Sequence, residues 1–446
     1  MTMMAPRMAV RPLKGWFIFP WDRCNGPHLC SLPRTTQKTA NSGHASSHPA
    51  QAGVHTLTCR RHLSRCHRHM KPTGTLGIVH VLDSLEYGGL ERVVADLAIA
   101  QAKHGHAVTV FSLCDTDGFR PFLEQAGIPV VIGHKRGAAD PAMIRLLRST
   151  LLEAGVDVVH THNFVPSYYA AAATRFARRR PVLVNTCHNM GGRLGNRRLR
   201  WLYQWSLAHS RRIAMVGRKV RDQLLSRNLV PASRSSVVMN GIPVDQFPRS
   251  PALRDEVRRE LGIAPQALVV GTVGRLVELK NQRLLLDAVA HLAASHPDLV
   301  VVLAGDGPLR SGLEASAGQL GIADRVVFTG ARKDVPRLLN AFDVFALPSR
   351  TEGLSIALLE ACAAGLPLLA TRVGGNDEIV QADETGLLVP SDDAVALRTA
   401  LSRLLQVPAE RQRMGENARR WVVEHGSIDV MRANYDALYG AALATR

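Results

Sequence analysis

The most informative part of this chain is residues 342–361, which read FDVFALPSRTEGLSIALLEA. The short apolar run from Phe342 to Leu347 predicts a buried strand, and the apolar residues from Ile356 onward recur at helical spacing. The polar residues between the two runs then form a tight loop. The segment is therefore predicted to fold as a strand, a loop and the N-terminus of a helix, an arrangement that carries ligands in parallel α/β sheets.

Two glutamates, Glu352 and Glu360, flank this helix start. The backbone amides of Gly353, Leu354 and Ser355 have no acceptor within the helix and lie at the positive end of its dipole, so they can bind a phosphate. Glu360 lies five residues after Ser355, which is about 7.5 Å along the helix axis at about 1.5 Å per residue. That spacing suits a ribose for Glu360 and a second polyol for Glu352, because a carboxylate accepts both hydroxyls of a diol. The segment predicts a nucleotide-sugar site; two glutamates that only complement a helix dipole are the simpler alternative.

The overall composition is that of a globular protein. The chain has 446 residues, 46% hydrophobic and 21% charged, which fits two or three domains. We find no run of eighteen apolar residues, so a membrane-spanning helix is not expected. The apolar stretch at 15–21 is short and interrupted by Pro20, unlike a secretory signal. We therefore expect a cytoplasmic protein.

The formal net charge of +18 raises the alternative of a basic nucleic-acid-binding protein. Residues 1–70 contain ten Lys or Arg and a single acidic residue, Asp22, so about half of the net charge lies there. The segment is rich in Ser, Pro, Thr and Gly and shows no periodicity. We predict that residues 1–70 are either a disordered basic N-terminal extension or not natively translated, in which case Met70 is the natural start. Because this charge lies outside the folded part, we predict no nucleic-acid partner.

The same segment contains cysteines that are competent zinc ligands. Five residues separate Cys24 from Cys30, and six separate Cys59 from Cys66. Structural zinc sites usually have two to four residues between paired cysteines. We therefore predict no metal site.

The rest of the chain alternates short β-branched runs with longer helical patterns. A polar, proline-containing stretch at 243–250 interrupts the alternation, which predicts a linker between two doubly wound units, 71–245 and 246–446. Ligands of parallel sheets bind beyond the carboxyl ends of the strands, so two facing units place the site in the cleft between them. We also expect the last helix to pack back on the first unit. The predicted strands are 76–82, 107–113, 130–132, 156–160, 182–186, 268–273, 299–305, 325–328, 344–347 and 368–371.

Two cations follow the first strand of the second unit. Arg275 can donate two parallel hydrogen bonds to phosphate oxygens, and Lys280 supplies a point charge. Close to a helix N-terminus that also attracts anions, the pair is placed to bind a diphosphate. A solvated turn with two cations is the alternative.

The first unit offers a glycine pair and a histidine at the ends of its strands. Gly88 and Gly89 allow backbone amides to approach a phosphate or sugar. The three-glycine dinucleotide fingerprint is missing there, which argues against a dehydrogenase. His188, at the end of a later strand, can hydrogen-bond a sugar hydroxyl or help to move a proton. A histidine satisfied by backbone groups is the alternative.

Residues 197–205, RRLRWLYQW, form a basic and aromatic helix. Such a helix can lie on an anionic membrane surface, where a lipid-linked acceptor would be found. A solvated face with two packed tryptophans is equally compatible with the pattern.

Taken together, these residues resemble a known family, the retaining GT-B glycosyltransferases of family four (glycosyl transferases group 1), over about residues 75–440. The motifs that carry the resemblance are Glu352 to Glu360, Gly274-Arg275 with Lys280-Asn281, Asn240-Gly241-Ile242 with Asp245 and Phe247, Gly305-Asp306-Gly307-Pro308, and Gly88-Gly89 followed by Glu91.

The resemblance implies an α/β protein of GT-B fold, with two doubly wound Rossmann-like domains facing a cleft. It implies transfer of a hexose, with retained configuration, from a UDP-sugar or GDP-sugar to a glycan or lipid-linked acceptor in bacterial surface polysaccharide or glycolipid biosynthesis. No metal or other cofactor is implied. We expect a cytoplasmic protein that contacts the inner face of the membrane peripherally.

The resemblance also implies roles for individual residues. Arg275 and Lys280 would bind the donor diphosphate, Glu360 the ribose and Glu352 the transferred sugar, with His188 near the reacting centre. The implied catalytic residues are His188, Glu352, Arg275 and Lys280. The implied donor-binding residues are Gly88, Gly89, Arg275, Lys280, Glu352, Gly353, Leu354, Ser355 and Glu360.

Two departures from the family pattern stand out. Leu354-Ser355-Ile356 replaces the glycine or phenylalanine of many members, which leaves the donor open, and Gly217 stands where many relatives have serine. A nucleotide-sugar epimerase or a glucan synthase on the same architecture is an alternative function.

Overall fold

The structure, a computed structural model, describes residues 74–445 except 138, 154, 178–179 and 189–195. The basic extension predicted over 1–70, its cysteines and the start at Met70 lie outside the described residues. Within the described part of the chain, the strands form two sheets in which all neighbouring strands are parallel.

The first sheet is formed by the N-terminal part of the chain. Its strands are β1 (Gly77–Leu82), β2 (Ala107–Ser112), β3 (Val130–Ile132), β4 (Val158–His162), β5 (Val182–Cys187), β6 (Arg212–Met215) and β7 (Ser235–Val237). Its helices are α1 (Gly89–Lys103), α2 (Arg120–Gln125), α3 (Pro141–Leu151), α4 (Phe164–Thr174), α5 (Arg197–Ala208) and α6 (Arg218–Ser226). The strand order is β3-β2-β1-β4-β5-β6-β7.

The second sheet follows the same plan. Its strands are β8 (Leu268–Val273), β9 (Leu299–Ala304), β10 (Val326–Gly330), β11 (Val344–Leu347), β12 (Leu368–Thr371) and β13 (Gly386–Val389). Its helices are α7 (Pro251–Glu260), α8 (Gln282–Leu292), α9 (Arg310–Gln319), α10 (Val335–Leu338), α11 (Ile356–Ala363), α12 (Asn376–Ile379), α13 (Ala394–Gln406) and α14 (Pro408–His425), followed by the last helix, α15 (Ile428–Leu443). The strand order is β10-β9-β8-β11-β12-β13.

The strand order reverses next to the first strand of each sheet, between β1 and β4 and between β8 and β11. Helices cover both faces of each sheet, so the central strands are buried on both sides and read as nearly continuous apolar runs. At such a reversal, the loops after the carboxyl ends diverge and leave a crevice. The predicted α/β class, with two doubly wound Rossmann-like domains, is confirmed.

The chain crosses between the sheets at two adjacent places. After β7 it passes to the second sheet through Ile242, and it returns at Ile428, where α15 packs against α1, β5 and β6. The backbone N–H of Ile242 donates to the Gly426 carbonyl at 3.0 Å, and that of Ile428 donates to the Ile242 carbonyl at 2.8 Å. A Cβ atom on Gly241 would lie 2.3 Å from the Ser427 carbonyl oxygen. Glycine is therefore required where the two crossing segments touch.

Candidate active site

The segment at 342–361 folds as strand β11, a loop and helix α11. The Ser355 hydroxyl caps α11 and accepts from the backbone N–H of Leu358 at 3.4 Å. The loop lies on the turn after β12, where the Gly375 N–H donates to the Gly353 carbonyl at 2.7 Å. Gly374 has φ +53° there, and a Cβ on it would be 2.1 Å from the Glu352 carbonyl oxygen. The glycine turn therefore fixes the backbone that presents the amides at the start of α11.

Lys280 and Glu352, predicted to bind different parts of a donor, contact each other. Lys280 Nζ lies 2.6 Å from Glu352 Oε1, and the Ser349 hydroxyl donates to the same oxygen at 2.6 Å. The Leu354 side chain, in contrast, is buried in the core, so only its backbone faces the loop. The cation and the carboxylate are thus positioned at the α11 N-terminus as an ion pair.

Arg275 follows β8, and its side chain is exposed. The Gly305-Asp306-Gly307 turn after β9 packs against the Arg275 loop. A Cβ on Gly305 would be 2.0 Å from the Gly274 carbonyl oxygen, and one on Gly307 would be 2.4 Å from that of Leu276. These glycines therefore support the Arg275 loop through backbone packing.

The N-terminus of α1 lies beside the N-terminus of α11. A Cβ on Gly89 would be 3.5 Å from Ile356 Cγ1, and one on Gly88 would be 2.3 Å from the Glu91 carboxylate. Burial raises the pKa of Glu91, and the nearby Arg275 guanidinium opposes that shift. The structure therefore brings the glycine pair and Arg275 to the same cleft as the α11 loop.

Glu360 is partly buried on α11 and interacts with two residues of α1, Arg92 and Asp96. Burial raises the pKa of Glu360 to about 7; Arg92 opposes the shift and Asp96 adds to it. Arg92 Nε donates to Asp96 Oδ2 at 2.7 Å. The charge of the carboxyl predicted to bind ribose thus depends on a helix of the first sheet. Arg92 and Asp96 could not be assigned from the sequence, where their only signal is an (i, i+4) spacing.

His188 lies just after β5 and is 7% exposed. Its backbone N–H donates to Asn163 Oδ1 at 2.8 Å, and its Nε2 lies 3.2 Å from His162 Nδ1. Burial lowers the pKa of His188 to about 3, so the ring is neutral at ordinary pH. A neutral ring with so low a pKa is a weak base, which favours hydrogen bonding over proton transfer for this residue.

A residue of the second sheet caps helix α6 of the first. The Glu378 carboxylate accepts from the backbone N–H groups of Arg218, at 2.7 Å, and Lys219, at 3.0 Å. Gly217 is the N-cap residue, and a Cβ on it would lie 2.8 Å from Glu378 Oε1. A serine there would displace this carboxylate and cap α6 itself. The interaction gives a physical reason for Gly217, which the sequence alone did not provide.

Helix α5 carries the basic and aromatic residues of 197–205. Trp201 is 67% exposed, and Phe176, after α4, is 78% exposed. The Arg175 guanidinium lies over the rings of Phe176 and Trp205, 5.3 and 5.9 Å from their centroids. The surface formed by Arg175, Phe176, Trp201 and Trp205, the aromatic–arginine patch, combines apolar area with positive charge. Within the described residues, no helix has both the length and the apolar character needed to cross a membrane.

The comparisons with known proteins agree with this geometry. Residues 87–246 match the family model Glycosyltransferase Family 4, and residues 254–421 match the model Glycosyl transferases group 1. The solved structure of HepE from Anabaena in complex with UDP has a TM-score of 0.73 with 22% identity, covering 81% of this chain and 99% of that one. The fold is therefore that of GT-B glycosyltransferases.

Curated proteins with similar sequences are also named as glycosyltransferases. The putative glycosyltransferase EpsF from Bacillus subtilis is 29% identical over 368 residues, covering 81% of this chain and 93% of EpsF. The UDP-Gal:alpha-D-GlcNAc-diphosphoundecaprenol alpha-1,3-galactosyltransferase of Escherichia coli is 29% identical over 258 residues, covering 56% of this chain and 66% of that protein. The chain belongs to the family four, group 1 glycosyltransferases, and the resemblance drawn from its motifs is confirmed.

Proposed function

We propose that the protein is a retaining glycosyltransferase that moves a hexose from a UDP-sugar or GDP-sugar to a glycan or lipid-linked acceptor of bacterial surface polysaccharide or glycolipid biosynthesis. The observation that carries the proposal is the Lys280–Glu352 pair beside the α11 N-terminus, with Arg275 exposed in the same cleft. The names of relatives support the substrate classes: the Escherichia coli relative is named for UDP-galactose and a diphosphoundecaprenol acceptor, and HepE was solved with UDP and with UDP-glucose.

The donor site follows from the charges in the cleft. The amides at the start of α11, Arg275 and Lys280 supply positive charge for the diphosphate. Glu360 lies further along α11, where its carboxylate can accept the ribose hydroxyls, and Glu352 accepts hydroxyls of the hexose. Because three protein sources of positive charge converge here, we propose that donor binding requires no metal ion.

The chemistry is an exchange of bonds at the anomeric carbon. The bond to the leaving diphosphate breaks through an oxocarbenium-like state, and the acceptor oxygen bonds to the same face. The acceptor proton passes to the departing phosphate. Arg275, Lys280 and the α11 amides stabilise the developing negative charge, and removal of one such group typically costs about 10²- to 10³-fold in turnover.

The aromatic–arginine patch is proposed as the membrane-contacting surface. Its exposed Trp201 and Phe176 can enter the headgroup region of an anionic membrane, while Arg175 binds a lipid phosphate. Sedimentation with phosphatidylglycerol vesicles tests this. The double variant Phe176→Ser and Trp201→Ser should lose binding, and Val395→Ser, which changes an exposed apolar residue on α13, should keep it. Equal binding by both variants would refute the membrane contact.

The donor proposal is tested by thermal shift of the full chain with uridine, guanosine and adenosine diphosphates, with and without EDTA. A ligand at 100 times its Kd adds about 2.7 kcal/mol of stability, which visibly raises the Tm. A shift with one diphosphate that persists in EDTA supports the metal-independent donor site. Absence of any shift would contradict it.

Transfer is separated from epimerisation by the products. A transferase releases free nucleoside diphosphate in proportion to added acceptor, whereas an epimerase converts the nucleotide sugar without releasing it. NMR of the anomeric proton of the product then distinguishes retention from inversion.

A further inference from the structure

A chain of buried polar side chains runs from α1 through the first sheet to His188. Gln101 Oε1 lies 2.7 Å from His80 Nε2, and His80 Nδ1 lies 3.0 Å from His162 Nε2. His162 Nδ1 in turn lies 3.2 Å from His188 Nε2. Gln101 and His80 are fully buried, and His162 is nearly so. We call Gln101, His80, His162 and His188 the histidine chain.

The rings of the histidine chain are neutral. Burial lowers the pKa of His80 to about 4 and that of His188 to about 3, and it lowers the pKa of His162 well below its usual value. A neutral imidazole has one N–H donor and one acceptor nitrogen. Each ring therefore transmits a hydrogen-bond direction: a ring that donates through one nitrogen must accept through the other.

The amide of Gln101 sets that direction. Its Nε2 donates to the Tyr439 hydroxyl at 3.2 Å, so its Oε1 is the atom that accepts from His80 Nε2–H. His80 Nδ1 is then an acceptor and receives His162 Nε2–H. His162 Nδ1 likewise receives His188 Nε2–H. The Nδ1 of His188 is left with a lone pair, and it has no hydrogen-bond partner among the described residues.

We propose that Gln101 is a positioning residue which, through His80 and His162, fixes the Nε2–H tautomer of His188. His188 Nδ1 is then an obligate hydrogen-bond acceptor for a substrate hydroxyl. The role of His188 Nδ1 as an acceptor for a substrate hydroxyl rests on the proposed glycosyl transfer. The tautomer of His188 does not. The arrangement joins the tautomer of His188 to α1, the helix whose N-terminus lies beside that of α11.

A metal ion is the competing interpretation of the cluster. Ligand nitrogens of His80, His160 and His162 lie within 4.8 Å of one another. However, both nitrogens of each ring already have partners: His160 Nδ1 lies 2.8 Å from the Tyr439 hydroxyl and its Nε2 lies 2.6 Å from Thr186 Oγ1. A metal would have to break the His80–His162 hydrogen bond. Hydrogen bonds already occupy every one of these atoms, so the hydrogen-bonded interpretation is preferred.

The first test is ¹⁵N NMR of the full chain with labelled imidazole rings, assigned with single histidine variants. Protonated Nε2 and unprotonated Nδ1 are expected for His80, His162 and His188. Protonated Nδ1 at these rings would overturn the proposal, and so would stoichiometric zinc in the purified protein. The expected spectrum in a protein without transferase activity would still establish the chain and would refute only the proposed function.

Variants then test the origin of the tautomer. Gln101→Met removes the acceptor, so the Nδ1–H form of His188 should appear, and kcat should fall about fivefold, the equivalent of one hydrogen bond of about 1 kcal/mol. The donor KM should not change, because the diphosphate site lies on the second sheet. Tyr435→Phe is the control: it removes a buried hydroxyl bonded to Thr186 but leaves the histidine chain intact.

His162 provides an independent pair of variants. His162→Gln can accept from His188 and donate to His80, so it should preserve the His188 tautomer and most of kcat, whereas His162→Leu should lose both. An unchanged His188 tautomer in Gln101→Met or His162→Leu would overturn the proposal, whatever the stability of the variants.

Discussion

Glu360 makes donor binding depend on pH. Burial raises the pKa of this carboxyl to about 7 in the ligand-free protein. The proposed contact with the ribose hydroxyls requires the carboxylate, which accepts hydrogen bonds through both oxygens. Donor binding below about pH 7 must therefore release the Glu360 proton, and Glu360→Gln removes this coupling.

The magnitude follows from the pKa. At about pH 6 roughly a tenth of the molecules carry the carboxylate, so the Kd should be about tenfold weaker than above pH 8, a difference of about 1.4 kcal/mol. At about pH 5 the loss should approach a hundredfold. Above about pH 8 the affinity should be constant, because Glu360 is then already ionised.

Folding stability should change in the opposite sense. A folded-state pKa above the ordinary value of 4.5 means that the folded protein binds this proton more tightly than the unfolded chain does. This proton contributes up to about 3 kcal/mol to the free energy of unfolding. The contribution is complete below about pH 4.5 and is lost as the pH rises to about 7. Glu360→Gln should therefore have a higher Tm than the wild type at pH 8, and Glu424→Gln, an exposed control on α14, should not.

Isothermal titration calorimetry measures the coupling directly. The ligand is a nucleoside-diphosphate sugar without acceptor, because the terminal phosphate of a free diphosphate itself titrates near pH 6. Titrations in two buffers of different ionisation enthalpy should give about 0.9 proton released at pH 6 and about 0.1 at pH 8. A Kd independent of pH between 5.5 and 8, or wild-type affinity in Glu360→Gln, would refute the assignment of Glu360 to the ribose.

Three further predictions concern single contacts. Lys280→Ala should lower kcat by about 10²-fold or more in a coupled assay of diphosphate release, while Lys103→Ala, at the exposed end of α1, should match the wild type; equal turnover would remove Lys280 from the mechanism. Gly241→Ala should lower the Tm strongly in calorimetry, because a Cβ would lie 2.3 Å from the Ser427 carbonyl; an unchanged Tm would contradict the tight crossing. Glu378→Gln should cost about 1 kcal/mol in chemical unfolding, and combining it with Gly217→Ser, which caps α6 locally, should restore the stability; no recovery in the double variant would contradict the capping account.

Most of the fold could be predicted from the sequence, because strands buried on both faces read as apolar runs. Ten of the described strands were predicted, and β6, β7 and β13 were not. These three have three or four residues each; β6 begins with Arg212, and β7, SSV, lies at the sheet edge. Polar residues interrupt both β6 and β7, so neither reads as a continuous apolar run, and only pairing with a neighbouring strand identifies them as strands.

For the candidate site, predictability depended on how far apart in the sequence the interacting residues lie. The residues of one strand–loop–helix segment, such as Glu352 and Glu360, were predicted because their spacing alone carries the information. The contacts of Gln101, Arg92 and Glu378 were not predicted, since each of these residues acts on a residue far away in the sequence. Gln101 contacts Tyr439 across 338 residues, and Glu378 caps a helix 160 residues earlier. Local patterns do not report such contacts.

The Lys280–Glu352 ion pair combines two residues that the sequence predicted with a contact that only the structure shows. The sequence assigned these residues to separate parts of the donor, and the structure places their charged atoms 2.6 Å apart. In the proposed complex, a diphosphate draws Lys280 away from Glu352, which leaves the carboxylate free to accept hydroxyls of the hexose while Ser349 retains its hydrogen bond. A free nucleoside diphosphate or a free hexose supplies only one of these interactions and breaks the pair without full compensation. Recognition of the diphosphate and recognition of the sugar are therefore coupled, which favours the intact nucleotide sugar over either of its parts.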